Sequence, residues 1–159
     1  MQENKREDPV RAFLDSVREA RFNEARCRRK LQEMDAQCRS MTAQMTGMPG
    51  GGSADPHKDG AWAALADQAT LLRELYDQAV RRETDVERFI SKLEKDTHRI
   101  LLRLKYVDLL TWSGVQDKMR ESNIFYYSER QIYRIHGEAL QEARKLWAQL
   151  HQEEGEKSA

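Results

Sequence analysis

The sequence predicts an all-α protein: a long antiparallel helical hairpin of coiled-coil type, followed by a three-helix helix-turn-helix domain. Three observations predict it. Two long apolar heptads flank a stretch rich in Gly and Pro. Charged residues make up 34% and hydrophobic ones 39%, with only 3 prolines, a balance that suits long solvent-bathed helices better than a large globular core. The C-terminal third then holds shorter helical patterns, the last of them opening on a capping signature.

Asp8-Pro9 starts the first helix, with Asp as N-cap and Pro at the first helical position. One set of heptad positions reads Val10, Val17, Glu24, Leu31, Cys38 and Met45. The other, three residues on, reads Phe13, Ala20, Cys27, Met34, Met41 and Met48. Every one is apolar or small except Glu24, and a 3.5-residue repeat held this long specifies a coiled-coil helix. Gly and Pro dominate residues 46–60, which read as a connection. A second heptad follows, with Trp62, Ala69, Tyr76, Glu83, Ile90 and Thr97 in one set and Leu65, Leu72, Ala79, Val86, Leu93 and Ile100 in the other. So short a connection makes an antiparallel hairpin the simplest arrangement over residues 8–96. Its hairpin or oligomerisation seam is expected to hold Phe13, Val17, Glu24, Leu31, Leu72, Tyr76, Glu83 and Ile90.

Placing Met45 opposite Trp62 aligns Cys38 with Ala69, Leu31 with Tyr76 and Glu24 with Glu83. Two facing carboxylates in a dry seam repel, so at least one must protonate or find a cation. Arg21, Arg28, Arg81 and Arg82 are near enough along the helices. The layer reads as a register device or as the place where a second hairpin docks. A catalytic acid/base pair would need a nucleophile, a metal-ligand set or a further catalytic group, and none accompanies it.

Residues 97–150 are expected to form the second domain. His98–Val107 is amphipathic, with Ile100, Leu101, Leu104 and Val107 inward, and its spacing extends the second long helix. Thr111 can cap a helix that begins at Trp112 and turns Val115 and Met119 inward. Tyr127–Leu140 opens with a capping box, Ser128 and Gln131 each able to bind the other's backbone N–H. Behind the cap, Ile132, Ile135, Ala139 and Leu140 share one face. Arg130, Gln131, Tyr133 and Arg134 crowd the other. On residue types alone two readings stand: a helix that enters a DNA major groove, and a capped, solvated surface helix.

Here the chain resembles a known group. LKYVDLLTW followed by YSERQIYRIHGEAL looks like the fourth conserved region of bacterial sigma factors. It is more similar still to phage and prophage late-gene transcriptional regulators of the RinA and ArpU type. The resemblance rests on Lys105-Tyr106-Val107, Thr111-Trp112, Tyr127, Ser128, Arg130, Arg134, His136, Gly137, Ala139 and Leu140, and more loosely on Gly47-Met48-Pro49 in the connection. One departure stands out. Thr111 to Ser128 exceeds the helix plus tight turn of such modules, so Arg120–Tyr126 reads as an insertion. Gly114 also stands where relatives carry a helix former.

The resemblance implies a sequence-specific regulator that binds double-stranded DNA. Ser128, Arg130, Gln131, Tyr133 and Arg134 would meet bases or phosphates, and Lys105, Lys118 and Arg120 the backbone. A dimer or tetramer through the coiled coil is expected, and RNA polymerase is a further candidate partner. Two alternatives remain: a small terminase subunit binding packaging-site DNA, and a helical interaction module acting on RNA polymerase or a sigma factor. The 27 basic and 27 acidic residues cancel, so charge must be read by segment; His98–Leu150 carries nine basic and six acidic residues, a net +3 that permits a polyanion without demanding one. The four histidines lack zinc spacing, and no phosphate loop or nucleophile elbow is present, so neither an enzyme nor a metal or cofactor site is expected. No apolar run is long enough to span a bilayer and no signal peptide is evident, so a cytoplasmic protein of a bacterial host, with Cys27 and Cys38 reduced, is the expectation.

Overall fold

Asp8 caps the first helix as its sequence requires: Oδ1 accepts the Val10 N–H at 3.2 Å, and the backbone carbonyl accepts from Ala12. The computed structural model describes residues 8–45, 56–122 and 127–157. These are helical throughout apart from short connections, with no strand among them. The long helices are α1 (Pro9–Met45) and α2 (Pro56–Ser91). A short α3 (Asp96–Leu102) runs on into a π-helical turn at Arg103–Val107. Then come α4 (Trp112–Ser122) and α5 (Glu129–Lys157). The connection expected over residues 46–60 lies largely outside the described residues, as do residues 123–126 of the expected insertion.

The chain divides into two units, and the division is not the one expected at residue 96. One unit takes the chain up to Arg18 and from Arg81 onward; the other is Glu19–Val80. The first unit has a real core. Val10, Leu14 and Val17 from α1 meet Val86, Phe89, Ile90 and Leu93 from α2 and the inward faces of α3, α4 and α5. Phe13, Phe89 and Trp147 close on one another with ring centroids 5.0–5.7 Å apart. Arg144 on α5 donates from Nε and Nη2 to Asp8 Oδ2, at 2.9 and 2.6 Å. The outer turns of both long helices thus belong to the domain that follows them, because their aromatic side chains find partners on α5.

In the second unit α1 follows its heptad as far as Cys38, and Met41 is exposed. Glu24, Cys27 and Cys38 are buried and Leu31 and Met34 half-buried. On α2 one half of the expected pattern shifts. Leu65 and Leu72 are half-buried and Ala79 is buried, as the spacing predicts. Their companions, however, are Gln68 and Leu75, one residue before the expected Ala69 and Tyr76. Trp62 and Tyr76 stand 41% and 47% exposed, so Tyr76 does not line the intrachain seam. Gln68 goes inward because its amide has a partner there, donating to Cys27 Sγ at 3.0 Å. The expected layer of Cys38 with Ala69 does not form, since Ala69 is exposed and Gln68 instead reaches Cys27. Glu24, only 5% exposed, is held by its own helix through Arg21 at 3.2 Å and Arg28. It has found the cations that a buried carboxylate needs. Glu83 falls in the other unit and is half-buried.

The expected continuity of α2 into α3 is broken. Lys92 and Leu93 donate three residues back, to Phe89 and Ile90, which tightens the last turn, and Lys95 is extended (φ −84°, ψ 123°). No Pro or Gly marks the place. The Glu94 N–H released by the break is taken up by the Glu142 carboxylate of α5 at 2.5 Å, and Arg99 donates to the Leu93 and Glu94 carbonyls. The partners of this corner are supplied from elsewhere in the chain.

Candidate functional site

α5 begins as its sequence directs. The Ser128 N–H donates to Gln131 Oε1 at 2.8 Å, and the Gln131 N–H donates to Ser128 Oγ at 3.3 Å, the reciprocal pair of a capping box. The Ser128 hydroxyl also donates to Gln131 Oε1 at 3.0 Å. Gln131 therefore spends its carbonyl oxygen on the cap and keeps only its NH₂ to offer outward. Ile132, Ile135, Ala139 and Leu140 are buried as expected, which turns Arg130, Gln131, Tyr133 and Arg134 to the exterior.

Before α5, Thr111 caps α4, with Oγ1 accepting the Gly114 N–H at 3.2 Å, and Val115 and Met119 are fully buried. α4 itself extends to Ser122, so part of the expected insertion lengthens this helix. The start of α5 is tied to α4 through Gln116, whose Nε2 donates to the Tyr127 carbonyl at 2.9 Å. α3 reaches α4 through its π turn, where the Asp108 backbone N–H donates to the Arg103 carbonyl, and through Leu109, a non-glycine residue at φ 55°. Wide turns of this kind re-aim side chains. Here they place Lys105 and the buried Tyr106 beside α4 and α5.

The three short segments meet in an aromatic cluster. Trp112 contacts Tyr133 (centroids 4.8 Å apart) and His136 (4.9 Å), and the Tyr106 hydroxyl lies 3.0 Å from His136 Nε2. Lys105 Nζ sits 4.5 Å over the Trp112 ring and donates to the Leu110 carbonyl at 3.1 Å. Burial, then the charges of Arg11 and Lys105, push the His136 pKa down to about 4, so the ring is neutral at pH 7 and shares one hydrogen bond with Tyr106. Burial likewise lowers the pKa of Lys105, with Arg18 adding to the effect, and raises that of Tyr106. The cluster fixes the rotation of α5 about its axis, and with it the direction in which the outer residues point.

The expected contact residues are thus placed unevenly. Ser128, Arg130, Gln131, Tyr133 and Arg134 lie together along the first turns of α5. Lys105 is turned inward onto Trp112 and serves the scaffold. Lys118 pairs with Glu121 at 2.9 Å and Arg120 with Asp117 at 3.6 Å, both on α4, while Arg134 lies 3.7 Å from Glu138. Exposed pairs of this kind are weak, on the order of 0–1 kcal/mol, and a phosphate can displace them. In the sequence Tyr106 and His136 stand out only through the resemblance, and Trp112 also as the first residue of a capped helix. Their spacing carries no signal that they converge; the shared aromatic character is the one hint. Among the described residues, no His, Cys, Asp and Glu side chains cluster to hold a metal, and no helix is long and apolar enough to cross a membrane.

A family model described as a protein of unknown function, DUF1492, matches residues 40–136, more than half of the chain. The chain belongs to the DUF1492 family. The DUF1492 match takes in α2, α3 and α4 and stops at His136, so it contains every member of the aromatic cluster. Most of α1 and the later turns of α5 lie outside it. Neither a search of curated proteins nor one of solved structures finds a match.

Proposed function

We propose that this DUF1492 protein is a sequence-specific transcriptional regulator of phage or prophage genes that reads double-stranded DNA with the first turns of α5. The observation that carries the reading is the exposed face of Arg130, Tyr133 and Arg134, capped at Ser128 and aimed by Trp112 and His136. Gly137 supports it. It lies in the interior of α5, one turn beyond Arg134 and seven residues from Arg130, and a Cβ there would meet nothing within 4 Å. Internal packing does not require a glycine at this position, yet it lets a partner's backbone approach closely. In this reading α3 and α4 would supply the scaffold of a helix-turn-helix and α1 with α2 an antiparallel hairpin, which the contacts of Phe13 with Phe89 and of Gln68 with Cys27 support. The exposed Trp62 and Tyr76 of α2 suit a homo-oligomer that presents the reader in more than one copy. The sigma-like and RinA/ArpU-type resemblance of the same residues points the same way. The protein would act in the cytoplasm, without an enzymatic step.

Binding of promoter-length duplexes across a salt series tests this. Arg134→Ala and Arg130→Ala should each weaken the preferred site by roughly 1–3 kcal/mol and relax its sequence preference. Unchanged affinity in both variants removes α5 as the reader. A second reading has its own support. The even balance of 27 basic and 27 acidic residues favours a helical module that docks on RNA polymerase or a sigma factor. Co-purification with polymerase, without retention of DNA at low salt, would select it.

A further inference from the structure

The strongest concentration of charge in the chain is not on α5. Residues 21–30, RFNEARCRRK, carry five cations (Arg21, Arg26, Arg28, Arg29 and Lys30) against a single acid, Glu24. That is a net +4 in ten residues, where His98–Leu150 reaches +3 over a much longer span. Glu24 offsets one of the five charges, which the net of +4 already counts. Glu24 is buried, and its two oxygens hold Arg21 and Arg28 at their places on the helix. Arg26, Arg28, Arg29 and Lys30 are exposed, and Phe22 stands among them at 65% exposure. Arg21, Glu24, Ala25, Arg28, Arg29 and Gln32 line an open groove of about 440 Å³.

We propose that this face of α1 is a second, sequence-independent contact with the phosphate backbone of double-stranded DNA. Guanidinium forks on successive turns match phosphate oxygens in geometry as well as charge. Apart from Asn23 and Gln32 its exposed polar side chains are cations, so attraction to phosphate is its main contribution, which adds affinity and leaves specificity elsewhere. Braced Arg21 and Arg28 hold their rotamers before binding, which lowers the entropy lost when a phosphate arrives. The choice of double-stranded DNA as the occupant rests on the proposed function, but the patch lies at a different place on the chain from α5, so the two contacts can fail separately.

The test is the salt dependence of binding of the full-length protein to a random-sequence 30-base-pair duplex. The variants are Arg26→Gln/Arg29→Gln/Lys30→Gln, which spares the Glu24 brace and keeps good helix formers, and Arg130→Gln/Arg134→Gln in parallel. Circular dichroism confirms that both remain folded. The α1 variant should lose about 3 from the slope of log K against log salt and bind roughly tenfold or more weakly at 0.1 M salt, equally on every sequence. An unchanged slope in that variant overturns the proposal even if the α5 variant loses binding. A reduced slope in the α1 variant with an unchanged α5 variant upholds it and leaves α5 to the test on its preferred site. If wild type ignores the duplex at low salt but binds polyglutamate, the patch serves an acidic protein and the proposal fails.

Discussion

The carboxylate of Glu142 on α5 binds His98 Nδ1 at 2.5 Å, 44 residues away, and accepts the Glu94 N–H with its other oxygen. One side chain therefore closes the corner where α2 gives way to α3. Burial works against the Glu142 charge, but the hydrogen bonds from His98 and from the N–H groups of Glu94 and Lys95 outweigh it and hold the carboxyl below its ordinary pKa. His98 is only 3% exposed, so removing its partner strands a buried polar ring. Glu142→Ala should lower stability by about 2 kcal/mol, read by urea unfolding at pH 7. A change under about 0.5 kcal/mol would show that the corner holds by other means.

His136 makes stability depend on pH. Its folded pKa of about 4 lies below the ordinary 6.5, so between these values the unfolded chain binds a proton that the folded chain does not. Stability then rises with pH across this window and is lost as pH falls through it. Lowering pH from 7 to 5 should cost wild type about 2 kcal/mol through this group, and His136→Gln should lose less than wild type over the same interval. Equal losses in urea melts at the two pH values would assign the effect to other groups.

Gly137 separates stability from function. Gly137→Ala fills open space in a helix interior and should raise stability by roughly 0.5–1 kcal/mol. The same methyl group projects from the face of Arg130 and Arg134, so DNA affinity should fall while the melting temperature rises. A variant that gains stability and keeps full affinity would place the partner on another face.

Trp62 and Tyr76 separate folding from assembly. Both are exposed, so Trp62→Ala/Tyr76→Ala should shift unfolding by less than about 1 kcal/mol. If α2 pairs with a second copy through this side, sedimentation of the variant should report a smaller mass than wild type at equal concentration. An unchanged mass with an unchanged melt would move the oligomer contact off this stripe.

Much of this protein is local, and the sequence carried that part. The caps at Asp8, Thr111 and Ser128, the inward faces of α4 and α5, and the buried stripe of α1 all follow from spacing and side-chain chemistry within a few residues. Side chains a turn or two apart decide these features, so periodicity sees them. The candidate face of Arg130 to Arg134 was legible for the same reason, since burial of Ile132 and Ile135 fixes what lies opposite.

What the sequence did not decide depends on partners far away in the chain. Gln68 displaced Ala69 from the α2 seam because Cys27 waits there for its amide, a fact invisible to a pattern that counts glutamine as polar. α2 ends at Ser91 without a Gly or Pro because Glu142 satisfies the exposed backbone. Phe13, Phe89 and Trp147 draw the outer turns of the long helices into the C-terminal unit, so that unit takes in the chain up to Arg18 and from Arg81 onward. Lys105 became part of the scaffold once Trp112 came beneath it. The sequence by itself determined where helices begin and which faces they bury. Only the tertiary structure decided where they stop, which polar groups go inside and which cations remain free, because each of those outcomes is set by a group that the chain brings close only after it has folded.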